Sequence, residues 1–64
     1  PTSLHTLVLT EKHLAEGNTL GNITLPTGGL VMMIKRDGRY IVPNGKRRLQ
    51  AGDTLLIIKE SDQL

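Results

Sequence analysis

The dipeptide Asp37-Gly38 constrains this chain more than any other feature, because of what stands on either side of it. Leu30–Arg36 is apolar through Ile34 and ends in Lys35 and Arg36, and Arg39–Val42 returns with Tyr40, Ile41 and Val42. Two such runs separated by two residues read as a β-hairpin. Asp-Gly suits a type I′ turn, whose central residues both need positive φ. A two-residue loop then sets the register: Arg36 opposes Arg39, Lys35 opposes Tyr40, and Ile34 opposes Ile41. Paired residues share a face, and faces alternate along a strand. Strict alternation puts Met32, Ile34, Arg36, Arg39 and Ile41 on one face. Val31, Met33, Lys35, Tyr40 and Val42 fall on the other.

Two further segments read as strands, Leu4–Leu9 and Thr54–Lys59, both aliphatic and β-branched. Glu11–Glu16 is polar and reads as a loop or single turn. Asn18 is a plausible N-cap, and Leu20 and Ile23, three apart, share one face of a short helix. Pro26 stops that helix, and Thr27-Gly28-Gly29 turns the chain. Pro43-Asn44-Gly45 ends the hairpin. In the turn Ala51-Gly52-Asp53, the Asp53 carboxylate is expected to cap nearby amides.

Sixty-four residues allow one domain, 1–64, with a marginal core. There is no cysteine, so neither disulfides nor thiolate metal sites support it. Leu55-Leu56-Ile57-Ile58 is apolar on both sides, as is the hairpin away from its turn. A sheet buried on both faces needs two coverings, and one short helix supplies one. The other is expected from a second subunit or a parent domain. The chain opens Pro1-Thr2-Ser3 without Met. It is expected to be a fragment of a larger protein, with no signal peptide or membrane span of its own.

The net charge of +2 permits an anionic partner without demanding one. Tyr40 is the only aromatic residue, so there is no stacking platform for nucleic acid, and no basic recognition helix. His5 and His13 lie on different elements with no ligand spacing, so no metal site is expected. Gly45-Lys46 is followed by Arg47, which rules out a phosphate-binding P-loop. No nucleophile, base and orienting group fall together, so no catalytic residue is assigned. The expected role is binding or regulation, not catalysis.

Three blocks carry a family likeness. Gly17-Asn18-Thr19-Leu20-Gly21-Asn22-Ile23-Thr24-Leu25-Pro26 comes first. Ile34-Lys35-Arg36-Asp37-Gly38-Arg39-Tyr40-Ile41-Val42-Pro43 follows, then Leu49-Gln50-Ala51-Gly52-Asp53-Thr54-Leu55-Leu56-Ile57. In order and spacing they resemble the TrkA-C family, the C-terminal domain of RCK proteins, over roughly residues 4 to 60. The resemblance implies an α+β domain: a small mixed β-sheet with the Asp-Gly hairpin and one short helix, forming a homodimer. It implies a cytoplasmic regulatory module that senses a ligand and controls potassium or sodium/proton transport by the transmembrane domain of its parent chain. An antiporter is the favoured parent. In several members the ligand is cyclic di-AMP. The alternative is a structural dimerisation module without a ligand.

Arg36 and Arg39 are directly opposed like charges; Asp37 is expected to offset part of that repulsion and an anion more of it. The candidate ligand site is therefore Arg36 and Arg39 for phosphate, with Ile34 and Ile41 beside them and Pro43 and Asn44 at the far end of the strand. Lys46, Arg47 and Arg48 form a second basic cluster, whose plainer reading is a solvated rim.

The turn assignment is directly testable. Gly38→Val should cost about 1–2 kcal/mol, because a β-branched residue resists positive φ. Chemical denaturation measures it, and an unchanged unfolding midpoint would mean another turn type and another register.

Overall fold

The computed structural model describes residues 2–25 and 28–60. Within them four strands form one sheet: β1 (Thr2–Val8), β2 (Leu30–Arg36), β3 (Arg39–Ile41) and β4 (Thr54–Glu60). The spatial order is β1-β4-β2-β3, and every neighbouring pair is antiparallel. The expected mixed sheet is thus not what the described residues form. The reason is topological. β1 and β2 run parallel to one another, but β4 lies between them and opposes both.

The hairpin follows its turn chemistry. Asp37 has φ 50° and Gly38 φ 77°. Ile34 pairs with Ile41, Lys35 with Tyr40 and Arg36 with Arg39, as the loop length requires.

Away from the turn, strict alternation fails at one residue. The β2–β4 register slips between Val31 and Met33, so Met32 is an extra residue in a β-bulge. Val31 pairs with Ile57, whereas Met33 pairs with Leu56. The bulge moves Val31 onto the face of Ile34, where it packs against the core, and leaves Met32 exposed. The faces expected for Val31 and Met32 are corrected accordingly.

One sheet face holds the core. Ile34, Leu55 and Ile57 are buried there beneath Leu9 and Leu49, with Leu7, Leu14, Leu20, Ile23, Leu25, Val31 and Ile41 packed around them. The cover is made of loops. Where a helix was expected after Asn18, the described residues form one helical turn, with Ile23 N–H donating to the Thr19 carbonyl at 2.9 Å. The backbone is drawn elsewhere: Leu49 N–H donates to Asn18 O (2.7 Å), Leu20 N–H to Arg47 O (2.9 Å) and Gly21 N–H to Gly45 O (2.9 Å). Thr19 and Arg48 form an isolated antiparallel bridge. These bonds staple residues 17–23 to residues 44–49, so both segments cover the core together. The Pro26 stop and Thr27 of the expected turn lie outside the described residues.

Among the described residues nothing covers the other face. Register places Leu4, Ile58 and Leu30 in one row, Thr6, Leu56 and Met33 in the next, and Val8, Thr54, Lys35 and Tyr40 in a third. Leu4, Val8, Leu30 and Tyr40 are each more than half exposed, at 61%, 58%, 69% and 70%. Lys35 extends its ammonium over the Tyr40 ring, 5.7 Å from the centroid. The two apolar sides read from the sequence are therefore one core and one uncovered surface. Among the described residues no helix is long and apolar enough to cross a membrane.

Gly29 sets how closely the chain enters β2. Its φ is +95°, and a Cβ there would stand 2.7 Å from Ile57 Cγ2 and 2.8 Å from the Ile58 carbonyl oxygen. Gly28 also has positive φ, +72°, but faces open space. Gly29→Ala should therefore cost about 2 kcal/mol or more, against about 1 for Gly28→Ala. Urea unfolding of both variants checks this, and equal losses would refute the close approach.

Candidate functional site

The site is built around Asp53. It leads into the central strand β4 and is only 1% exposed. A buried carboxylate is costly unless every oxygen finds a donor. Here both do. Arg36 Nε donates to Oδ1 at 2.8 Å and Arg36 Nη2 to Oδ2 at 2.7 Å, a two-pronged ion pair. Gln50 N–H adds a third bond to Oδ2 at 2.9 Å, the amide cap expected of this turn. Arg36 Nη2 also donates to the Arg48 carbonyl at 3.0 Å. The paired Arg36 guanidinium is the main cause holding the Asp53 carboxyl below its usual range. Burial opposes this, and the Gln50 bond assists. The same hydrogen bonding raises Arg36 above its already high ordinary value against its own desolvation, with Asp53 and then Asp37 adding attraction.

Sequence reasoning saw that Arg36 opposite Arg39 needs a counter-charge, but not that Asp53 supplies it. The sequence shows only that Asp53 stands at the entry of one strand and Arg36 at the end of another, and β4 adjoins β2 in the fold. Recognising the pair required the strand order.

The candidate ligand residues are distributed as follows. Ile34 is fully buried in the core, beneath the surface a ligand would touch. Arg36, Arg39 and Ile41 come together with Asp37 and Tyr40 around an open depression of about 530 Å³. Tyr40 borders this depression although its strand position assigns it to the opposite face. Asn44 lies in a second cleft of about 420 Å³ with Arg36, Lys46, Arg47 and Arg48. Pro43 is half-buried and lines neither. Arg36 is thus shared by two clefts, with one edge committed to Asp53, while Arg39 is exposed.

A third cavity, about 550 Å³, lies by the 12–17 turn and is lined by Lys12, His13, Ala15, Glu16, Gly17, Asn22 and Thr24. His13 is a local cap, its Nδ1 accepting from Thr10 N–H at 3.0 Å. His5 contacts Ser3 Oγ through Nε2 at 3.0 Å. Among the described residues no three His, Cys, Asp or Glu side chains converge on a metal position.

The fold and site define a class coarsely: a small sheet domain with a basic, ion-pair-braced edge and one open apolar face. Comparison with family models places it further. The model of the TrkA-C domain matches residues 4–64, and the chain belongs to that family. TrkA-C is a family of regulatory domains in ion transport. Comparisons with curated proteins and with solved structures found no match.

The Asp53 pair predicts a pH dependence. A carboxyl lowered on folding stabilises the protein above the unfolded Asp pKa of about 3.9, and that contribution disappears as pH falls through the lower folded value. Arg36, being raised, contributes throughout the range below its ordinary pKa and loses this only in strong alkali. Asp53→Asn should cost about 2–4 kcal/mol near pH 7. The gap to the parent chain should shrink below about pH 4. Denaturation across pH tests this, and a gap independent of pH would show that the charge on Asp53 is not its source.

Proposed function

We propose that this domain is a cytoplasmic ligand sensor that regulates potassium or sodium/proton transport by a transmembrane domain of the same parent chain. It would work at the inner face of the membrane, as a homodimer. The carrying observation is the TrkA-C match over residues 4–64, which brings the regulatory role. The depression at Arg36, Arg39, Tyr40 and Ile41 supports an anionic nucleotide such as cyclic di-AMP as the ligand. Arg39 offers an uncommitted guanidinium for phosphate, and Ile41 and Tyr40 offer apolar and aromatic surface for a base. Asn44, across Arg36 in the neighbouring cleft, is a secondary contact. Two copies related by a two-fold axis would present the set twice, which suits a two-fold symmetric ligand.

The exposed face that carries Leu4, Val8, Leu30 and Tyr40 favours the second reading, a structural dimerisation module. One experiment separates the two. Sedimentation at millimolar concentration should give a dimer. Calorimetry with cyclic di-AMP should give heat from the intact chain that is lost in Arg39→Ala. Arg39 is the residue to change, because removing Arg36 would strand Asp53. A dimer that yields no heat would leave the structural module. A folded monomer at that concentration would remove both.

A further inference from the structure

We infer a second ligand site: the cleft of Arg36, Asn44, Lys46, Arg47 and Arg48 binds a compact phosphate-bearing anion. This goes beyond the nucleotide reading and does not depend on Arg39.

The cleft is an assembled structure and not a loose charge run. Asn44 closes the turn twice, its side-chain Oδ1 accepting from Lys46 N–H and its carbonyl from Arg47 N–H, both at 3.0 Å. Arg47 Nε donates to the Val42 carbonyl at 3.2 Å, holding that guanidinium in place. Leu20 N–H binds the Arg47 carbonyl, and Arg36 Nη2 binds the Arg48 carbonyl. The segment is therefore pinned from residues 18–21 on one side and from β2 on the other. The backbone that carries these donors is preset, which spares an anion the entropy cost of ordering a mobile loop.

Its unspent donors all point to one chemistry. Among the described residues, Arg36 Nη1, both Nη groups of Arg47, and the side chains of Lys46 and Arg48 have no acceptor within the chain. No acidic residue lines the cleft. Asp53 balances Arg36, which leaves Lys46, Arg47 and Arg48 uncompensated. The whole chain carries only +2, so these four cations hold more positive charge than the molecule does, and the remainder is net acidic. The three uncompensated charges at one cleft repel each other, and a bound dianion offsets that repulsion.

The lining also limits what the ligand is. It contains no aliphatic or aromatic side chain, in contrast to the Arg39 depression with Tyr40 and Ile41. A base would find nothing apolar to cover it. A phosphate or pyrophosphate group, held by forked guanidinium donors and an ammonium, needs no such surface. That group is equally present in a soluble anion and in a phospholipid headgroup.

The test uses inorganic pyrophosphate with the intact chain, followed by amide NMR shifts. Vesicles of phosphatidylglycerol are run in parallel, with phosphatidylcholine vesicles as the control. Pyrophosphate is expected to move the amides of residues 44–48 saturably. Lys46→Gln/Arg48→Gln should weaken binding by about tenfold or more with its unfolding midpoint unchanged. Lys12→Gln/Lys59→Gln removes the same charge elsewhere and should stay within about twofold. Saturable binding of pyrophosphate assigns a soluble anion. Site-dependent retention on phosphatidylglycerol vesicles alone assigns a headgroup, and both support the site. No binding in either arm overturns it. So does equal weakening by the two double variants, which would mean diffuse attraction to net charge. Heat from cyclic di-AMP that depends on Arg39 and survives Lys46→Gln/Arg48→Gln belongs to the other depression, so either site can fail without the other.

Discussion

The Asp53–Arg36 ion pair is the interaction on which the rest of the structure depends. It joins the residue entering β4 to the last residue of β2, the strand beside it. Through Gln50 N–H it closes the 50–53 turn, and through Arg48 O it fixes the segment that covers the core. The backbone at the same point is tied to the end of β1: Leu9 N–H donates to the Asp53 carbonyl and Gly52 N–H to the Leu9 carbonyl, both at 2.8 Å. A carboxylate at this depth is tolerated because three donors converge on it. Removing Arg36 would leave the buried Asp53 carboxylate unmatched, in a chain whose core has little to spare.

That bracing gives Arg36 two roles. Its Nε–Nη2 edge belongs to the fold, while the residue also lines two clefts of different character. One cleft, at Arg39, Tyr40 and Ile41, combines charge with apolar surface. The other, at Asn44 and Lys46–Arg48, is polar throughout. A ligand in either meets a guanidinium whose position is set by Asp53.

The two sheet faces divide the work of a small chain. One face is filled by the chain's own loops, stapled by backbone bonds between residues 17–23 and 44–49. Among the described residues the other has no such cover, and Leu4, Val8, Leu30 and Tyr40 stand exposed on it. The bulge at Met32 sharpens this division by carrying Val31 inward to Ile57 and leaving Leu30 and Met33 outward. Lys35 over Tyr40 adds a polar margin at one corner.

The sequence by itself determined what depends on neighbours a few residues apart. Asp37-Gly38 admits one tight turn, so the pairs Ile34–Ile41, Lys35–Tyr40 and Arg36–Arg39 were legible, as were the strands and the Asp53 cap. The basic residues at 46–48 were visible as a run. Tertiary structure decided what depends on residues far apart in the chain. Placing β4 between β1 and β2 made the sheet antiparallel and brought Asp53 to Arg36. The slip at Met32 was set by pairing with Leu56 and Ile57 and has no mark in the local pattern. In place of the helix expected after Asn18 there is one turn, tied by backbone bonds to Gly45, Arg47 and Leu49, the last of which takes the Asn18 carbonyl that a helix would use. Local propensity is worth tenths of a kcal/mol per residue, and a set of long-range backbone bonds over a buried core outweighs it.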